Sequence, residues 1–259
     1  MEFITLEKTG ALAVIRLNRP GKYNSFNGTM AQELQVALDD CRDDETIRAV
    51  YLTGIGKAFC SGQDLNEVTG EDAPSFSTIL NEHFNPIIIR LRELEKPVVC
   101  GVNGVAAGAG ANIALACDIT IAAKSASFIQ AFCNIGLVPD SGGTFFLPRL
   151  VGVQRAAAMM LLGEPVSATE AAEMGMIYKA FPDSSFEKQA MALAGKLAQM
   201  PTRALAMTKR ALNYSLFNNE LEKQLAIEEQ LQSTAGETED YREGVQAFLE
   251  KRKPVFKGK

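Results

Sequence analysis

Histidine is nearly absent: the 259 residues contain one, His83. That excludes a histidine-rich metal site. His83 lies in NEHFNP with no serine or cysteine in a recognisable partner motif, so it reads as a surface or structural residue of its helix rather than a catalyst. Cysteine is scarce and unpatterned. Cys41, Cys60, Cys100, Cys117 and Cys133 form no C-x-x-C pair and no finger or ribbon spacing, which excludes a zinc site and fits reduced thiols in a cytoplasmic protein. MEFITLEKTG shows no signal-peptide pattern. Positive charge is also in deficit: 26 Lys and Arg against 31 Asp and Glu leave a net −5. The overall field therefore does not attract nucleic acid, and an anionic ligand needs a local basic patch.

The longest uncharged run, Pro97 to Cys117 (PVVCGVNGVAAGAGANIALAC), has the length of a membrane span. Its composition argues otherwise, because four glycines and two asparagines interrupt it and no basic flank or aromatic belt frames it. It reads as the buried centre of a domain, and no membrane association is expected. With 47% hydrophobic residues the chain has ample material for a packed interior.

Alternation in EFITLEK (2–8) and ALAVIRL (11–17) around Thr-Gly predicts a hairpin. Met30, Leu34, Ala37, Leu38 and Cys41 recur at helical spacing behind Asn27, a candidate N-cap. IRAVYLTG reads as a strand, residues 54–72 as a turn-rich loop, and the stretch to about Arg92 as helical. PVVCGV predicts a buried strand that leads into a short helix at 109–116, and DITIAA and SASFIQ predict short strands. Ser167 opens a helix closed by Gly175, and from about residue 184 the pattern is helical. Residues 1–200 thus look like repeated strand–strand–helix units, and residues 201–259 like a helical appendage. The fold class that follows is α/β or α+β in two layers.

Two features point to chemistry. Between Pro97 and Pro139 only Asp118 and Lys124 carry charge, so Asp140, in GLVPDSGGT, borders an apolar core. Burial there would raise its pKa and suit it to general acid/base work. The competing reading makes Asp140 the N-cap of a following helix. Gly101, Gly104, Gly108 and Gly110 let a ligand approach backbone N–H groups, which at a helix start can hold an oxyanion; tight strand–helix packing explains the same glycines. Asp-Ser-Gly-Gly at 140–143 lacks the histidine of a serine protease. Gly108-Ala-Gly110 lacks the third glycine of a dinucleotide fingerprint. Gly56-Lys57 is not a P-loop. The basic ending EKRKPVFKGK reads as a solvated tail or a phosphate contact.

NRPGKYNSF, GKAFCSGQDL, VNGVAAGAGANIALACD, GLVPDSGGTFFLPRLVG and AFLEKRKPVFKGK, in that order, resemble the crotonase (enoyl-CoA hydratase/isomerase) superfamily from about residue 3 to the C-terminus. The resemblance implies a spiral of β-β-α turns as the core, a helical C-terminal region that assembles a homotrimer or hexamer, and an acyl-CoA thioester as ligand, with no cofactor beyond the coenzyme A that the substrate carries. It implies an oxyanion hole from the backbone N–H groups of Gln63 and Ala109. It also implies a CoA-binding strip of Lys22, Asn24, Ser61, Asp64 and Leu65, with Lys257 reaching the CoA of a neighbouring subunit. Phe132, Phe145 and Phe146, near Asp140, are candidates to wall the acyl pocket.

The departures from the family pattern carry equal weight. Hydratase-like members place glutamates where this chain has Asn112 and Phe132. Asp140 stands instead where isomerase-type and dehalogenase-type members carry a working aspartate, and the histidine a dehalogenase needs is missing. One carboxylate suits a proton shuttle, and hence an isomerisation. AFCNIGLVPDSGGTFFLPRLVG and DYREGVQAFLEKR are most similar to isomerase-type members of bacterial phenylacetate breakdown, which implies conversion of ring-1,2-epoxyphenylacetyl-CoA to oxepin-CoA. Isomerisation of straight-chain 3-enoyl-CoA and hydration of 2-enoyl-CoA are the alternatives within the family. A crotonase-fold scaffold or RNA-binding module is the alternative outside catalysis, opposed by the acidic charge balance.

Overall fold

The computed structural model describes residues 1–69 and 73–259. β1 (Ile4–Thr9) and β2 (Leu12–Leu17) form the predicted antiparallel hairpin. The Asn27 side chain accepts from the Met30 N–H at 2.9 Å and starts α1 (Gly28–Asp43), which buries Met30, Leu34, Leu38 and Cys41 along one stripe. Three turns of the same kind follow. β3 (Ala49–Gly54) and β4 (Ala58–Cys60) lead to a helical stretch made of α2 (Phe76–Thr78), a π-helical segment (Ile79–Phe84) and α3 (Asn85–Glu93). β5 (Val98–Val102) and β6 (Val105–Ala107) lead to α4 (Ala109–Ala116). β7 (Ile119–Ala123) and β8 (Ser127–Ile129) lead to α5 (Gly143–Val151) and α6 (Val153–Leu162).

In the first turn both strands join one sheet; in each of the next three the first strand joins that sheet and the second strand another. The six-stranded sheet runs β1-β2-β3-β5-β7 and ends on β10 (Lys179–Phe181), and it is parallel from β2 onward. The four-stranded sheet runs β4-β6-β8 in parallel and ends on β9 (Pro165–Ser167), which is antiparallel to β8. This is the β-β-α spiral that the resemblance implies. The uncharged run 97–117 forms β5, β6 and α4, and every residue of β5 and α4 is buried. Among the described residues no helix is long and apolar enough to cross a membrane.

Ser167 closes a capping box with Glu170 at the start of α7 (Ala168–Glu173), and Gly175 follows it at φ 78°. α8 (Asp183–Leu197) lies across β3, β5 and β7. α9 (Thr202–Ser215), α10 (Leu221–Gly236) and α11 (Glu239–Leu249) complete the chain. One local expectation needs correction. Residues 54–72 were expected to be loop, yet β4 lies within them; its three residues pair with β6 across a register shift, too short for alternation to show. The last three of that stretch lie outside the described residues. Of the two readings of His83, surface or structural, the structure has the second: it is buried in the π-helical segment.

α9 is fastened to the spiral by a buried cation. Lys209 Nζ donates to the Leu91 carbonyl at 2.7 Å and to Asp118 Oδ2 at 2.9 Å, and Asp118 also accepts from the Val98 N–H at 2.8 Å. Burial pushes the Lys209 pKa down and Asp118 opposes it, so the charge survives only because it is paired. Lys209→Met is expected to destabilise the fold by about 3 kcal/mol, the low end for a broken buried pair because Arg92 still faces Asp118. Urea titration of the purified variant reads that loss; an unchanged midpoint would mean that the pair does not anchor α9.

Candidate active site

The segment after β4 crosses the start of α1 through a single parallel bridge. Phe26 donates to the Gly62 carbonyl at 2.7 Å and accepts from the Asp64 N–H at 2.8 Å, opposite Gln63. Successive N–H groups in extended chain point to opposite sides, so the Gln63 N–H is directed away from Phe26. The Gln63 side chain is occupied elsewhere, donating to Glu67 Oε2 at 3.1 Å. Nearby, Gly108 turns the chain into α4 at φ 52°, a conformation a side chain disfavours, and Gly62 lies at φ 93°. Ala109 is the first residue of α4, so its N–H has no intrahelical acceptor. A Cβ added at Gly62 would stand 3.6 Å from the Ala109 nitrogen, which shows how closely the two segments approach. At Gly110 there is no room for a Cβ at all, because the Cys60 backbone and thiol fill the space.

Two expected CoA contacts hold this bridge together instead. Asn24 is fully buried; its amide donates to the Ile55 and Ala58 carbonyls at 3.0 and 2.9 Å, and its Oδ1 accepts from the Arg19 N–H at 2.8 Å. Asp64 accepts from the Arg19 guanidinium at 2.7 Å and from the Asn66 N–H at 3.1 Å. Their polar atoms face inward and clamp residues 19–26 to the 58–66 stretch. Neither side chain is presented to a ligand.

Asp140 lies opposite, in the turn before α5. The helix begins only at Gly143, behind the N-cap Gly142, and no side chain caps it, so the capping reading of Asp140 is corrected. Its carboxylate accepts from the Ser141 hydroxyl at 2.8 Å, while its main-chain carbonyl accepts from the Gly143 N–H and from Asn112 Nδ2, each at 2.8 Å. Burial pushes the Asp140 pKa up, against a smaller lowering by Ser141. A carboxylate whose charge is disfavoured by burial is a better proton acceptor than an exposed one, and its acid form can return the proton.

A cavity of about 480 Å³ joins these parts. Ser61, Gly62, Gln63 and Leu65 line it on one side, Gly108, Ala109 and Phe132 on another, with Asp140 across from them. The cavity therefore brings together five of the expected residues besides Asp140: Gln63, Ala109, Ser61, Leu65 and Phe132. Phe145 and Phe146 are not among its walls. Phe145 stacks on Phe217 at 5.1 Å and lies under Arg149, while Phe146 packs beside Gly142 and under Arg92, against the edge of the core. Lys22 is exposed on the turn Pro20–Lys22, one residue before Tyr23, whose carbonyl accepts from the Ser61 N–H at the cavity rim. Lys257 lines a separate cleft with Arg48 and Thr202.

Sequence reading did not find the wall made by Phe76, Ile79, Leu80 and Phe84, nor Val68, Ile135 and Leu137. The apolar positions of FSTILNEHF were the available signal. The π-helical segment shifts their phase, so helical spacing does not sort them onto one face.

A model of the enoyl-CoA hydratase/isomerase family matches residues 7–259. The chain belongs to that family. It is 49% identical over 99% of its length to a protein of Rhodobacter capsulatus named as a "probable enoyl-CoA hydratase", covering 98% of that protein. It is 47% identical, over the whole of both chains, to the 1,2-epoxyphenylacetyl-CoA isomerase of Escherichia coli. The crystal structure of an enoyl-CoA hydratase from Bacillus anthracis superposes with a TM-score of 0.92 at 35% identity, over 99% of this chain and all of that one. The protein is thus an enzyme of the crotonase superfamily, hydratase or isomerase.

The raised pKa of Asp140 has a consequence for stability. A carboxyl whose folded-state pKa lies above its unfolded value makes the fold lose stability as pH rises from the ordinary 3.8 through the folded value. At pH 7 Asp140→Asn is therefore expected to melt at or above the wild-type temperature, with any gap closing below pH 3.8. Thermal melts across that range check this, and a variant less stable at pH 7 would contradict it.

Proposed function

We propose that this enzyme is an acyl-CoA isomerase in which Asp140 moves a proton and the Gln63 and Ala109 N–H groups hold the thioester oxygen. The observation that carries the reading is the charge inventory of the cavity: among the described residues Asp140 is the single ionisable side chain in its lining. Hydration needs a group to activate water and another to deliver a proton. The positions where hydratase-like members place glutamates hold Asn112, committed to internal hydrogen bonds, and Phe132, whose ring stands 3.6 Å from where a Cβ on Gly108 would be. An apolar ring beside the N–H pair favours exclusion of water.

In the forward step the Asp140 carboxylate takes a proton from the carbon beside the thioester. The electron pair of that C–H bond passes to the thioester oxygen and forms an enolate, which the two N–H groups stabilise by roughly 2.7–4 kcal/mol per well-aimed donor. The protonated Asp140 then returns the proton at another carbon of the conjugated system, and the formula is unchanged. On a 3-enoyl-CoA this gives the 2-enoyl isomer. On ring-1,2-epoxyphenylacetyl-CoA the ring C1–C2 bond that carries the epoxide opens electrocyclically to the seven-membered ether, a proton leaves the side-chain carbon and one is returned to a ring carbon, giving oxepin-CoA with the formula unchanged; the name of the Escherichia coli relative supports this substrate. The coenzyme A is part of the substrate, so the reaction needs no separate cofactor. Ser61 and Leu65 at the rim, with Lys22 beside it, suit the CoA, and the exposed Phe217, in the turn after α9, and Phe248, on α11, suit a homotrimer or hexamer. Hydration of 2-enoyl-CoA is the second reading, supported by the name of the Rhodobacter capsulatus relative.

The test presents the purified protein with trans-3-hexenoyl-CoA, trans-2-hexenoyl-CoA and enzymatically generated ring-1,2-epoxyphenylacetyl-CoA. Isomerisation is expected on the first or third, with kcat falling by about 100- to 10,000-fold in Asp140→Asn. Activity should drop on the acid side along a limb above the ordinary aspartate value, because the base form is lost as Asp140 protonates. Full activity in Asp140→Asn would overturn the assignment. Hydration of the 2-enoyl ester without isomerisation would favour the second reading.

A further inference from the structure

Asp140 is aimed by a polar chain that runs back into the core. Asn112 donates through Nδ2 to the Asp140 carbonyl at 2.8 Å, and its Oδ1 accepts from Gln130 Nε2 at 2.7 Å. Asn112 is fully buried and Gln130 is 1% exposed. The turn they support is unusual. Ser141 and Gly142 follow Asp140 at φ 51° and 74°, two left-handed residues in succession, and a non-glycine residue keeps that conformation only where its surroundings enforce it. The enforcing contacts are the Asn112 amide, which leaves no room for a Cβ on Gly143, and the Gly143 N–H, which bonds the same Asp140 carbonyl.

Gln130 has one orientation available. Reversing its amide would set Oε1 against Asn112 Oδ1, acceptor against acceptor. In the observed orientation Gln130 Oε1 is buried with no hydrogen-bond partner among the described residues, which costs stability. Packing alone would be served better by an apolar side chain of the same length. The same neighbourhood also fixes the oxyanion donors: the Ile129 carbonyl accepts from the Gly108 N–H at 2.9 Å, and the Asn112 N–H donates to the Gly108 carbonyl at 3.1 Å.

We infer that Asn112 and Gln130 are positioning residues, a buried amide pair that fixes the direction of the Asp140 carboxylate relative to the Ala109 N–H. The inference rests on Asp140 being the proton-transferring group. It gives the amide at 112 a role that a glutamate or aspartate there cannot fill, since an ionised carboxylate has no N–H to donate to a carbonyl.

Gln130→Met keeps the side-chain length while removing the donor and the unpaired oxygen, and Asn112→Leu removes the second link. Each is assayed with trans-3-hexenoyl-CoA and ring-1,2-epoxyphenylacetyl-CoA, alone and combined with Asp140→Asn. Gln130→Met removes one unpaired buried oxygen and leaves another, Asn112 Oδ1, so its melting temperature is expected to stay near that of the wild type. Both single variants should lose about 10- to 100-fold in kcat, the scale of a misplaced catalytic group, at a nearly constant KM. Neither should lower the residual rate of Asp140→Asn further, because the effect passes through that residue. Wild-type kcat in both single variants, or an equal loss in the Asp140→Asn background, would overturn the positioning role while leaving Asp140 as the base. Full activity in Asp140→Asn, or a wild type that isomerises neither ester, would overturn the base assignment and this inference with it.

Discussion

The contact between the first turn of α4 and β4 is the constraint on which the site depends. Gly110 sits against the Cys60 backbone with no space for a side chain, so the start of α4 can lie in only one place relative to the stretch after β4. That stretch carries Gln63, and the start of α4 carries Ala109. Two N–H groups from segments far apart in sequence are thereby set beside one cavity without any side chain placing them. The free N–H at the start of a helix is a by-product of helix geometry, and the local dipole favours negative charge there. The oxyanion site of the proposed reaction thus coincides with the point where the fold must begin a buried helix.

The electrostatics follow from what the cavity lacks. Its walls are mostly apolar, and Phe132 stands beside Gly108, where a carboxylate would attract water. In such surroundings a lone carboxyl resists ionisation, so the Asp140 carboxylate is a stronger base there than it would be in water. The charged pairs of the molecule lie elsewhere. Arg19–Asp64 and Lys209–Asp118 are buried to hold segments together, and in neither case does a ligand need to break them.

The fold was legible where periodicity or capping signals were strong: the hairpin at the start, α1 behind Asn27, the capping box at Ser167 and the buried strand PVVCGV. The motifs carried the order of the spiral. What escaped was set by distance. Asn24 and Asp64 lie in motifs that look like ligand contacts, and only the folded chain shows that the Arg19 backbone and guanidinium and the Ile55 and Ala58 carbonyls already occupy their polar atoms. Phe145 and Phe146 are within a few residues of Asp140, yet neither lines the cavity, because their rings are engaged with each other, with Phe217 and with Arg149 and Arg92. Gln130 gave no signal, since a glutamine just after a short strand is unremarkable until its partner eighteen residues earlier comes into view.

The division of labour within the cavity explains why motifs point to a reaction class more readily than to a substrate. Asp140 and the Gln63 and Ala109 N–H groups sit on elements tied to one another: α4, the bridge at Phe26 and the turn before α5 are joined by backbone hydrogen bonds and by the Asn112 amide. The apolar wall of the cavity, where the proposed function places the acyl group, comes instead from Phe76, Ile79, Leu80 and Phe84, on a helix whose π-helical segment changes the phase of its side chains. An inserted or deleted residue there rotates which side chains reach the acyl group without disturbing Asp140 or the two N–H groups. A ring and a straight chain can therefore be distinguished by a change that leaves every motif of the family intact.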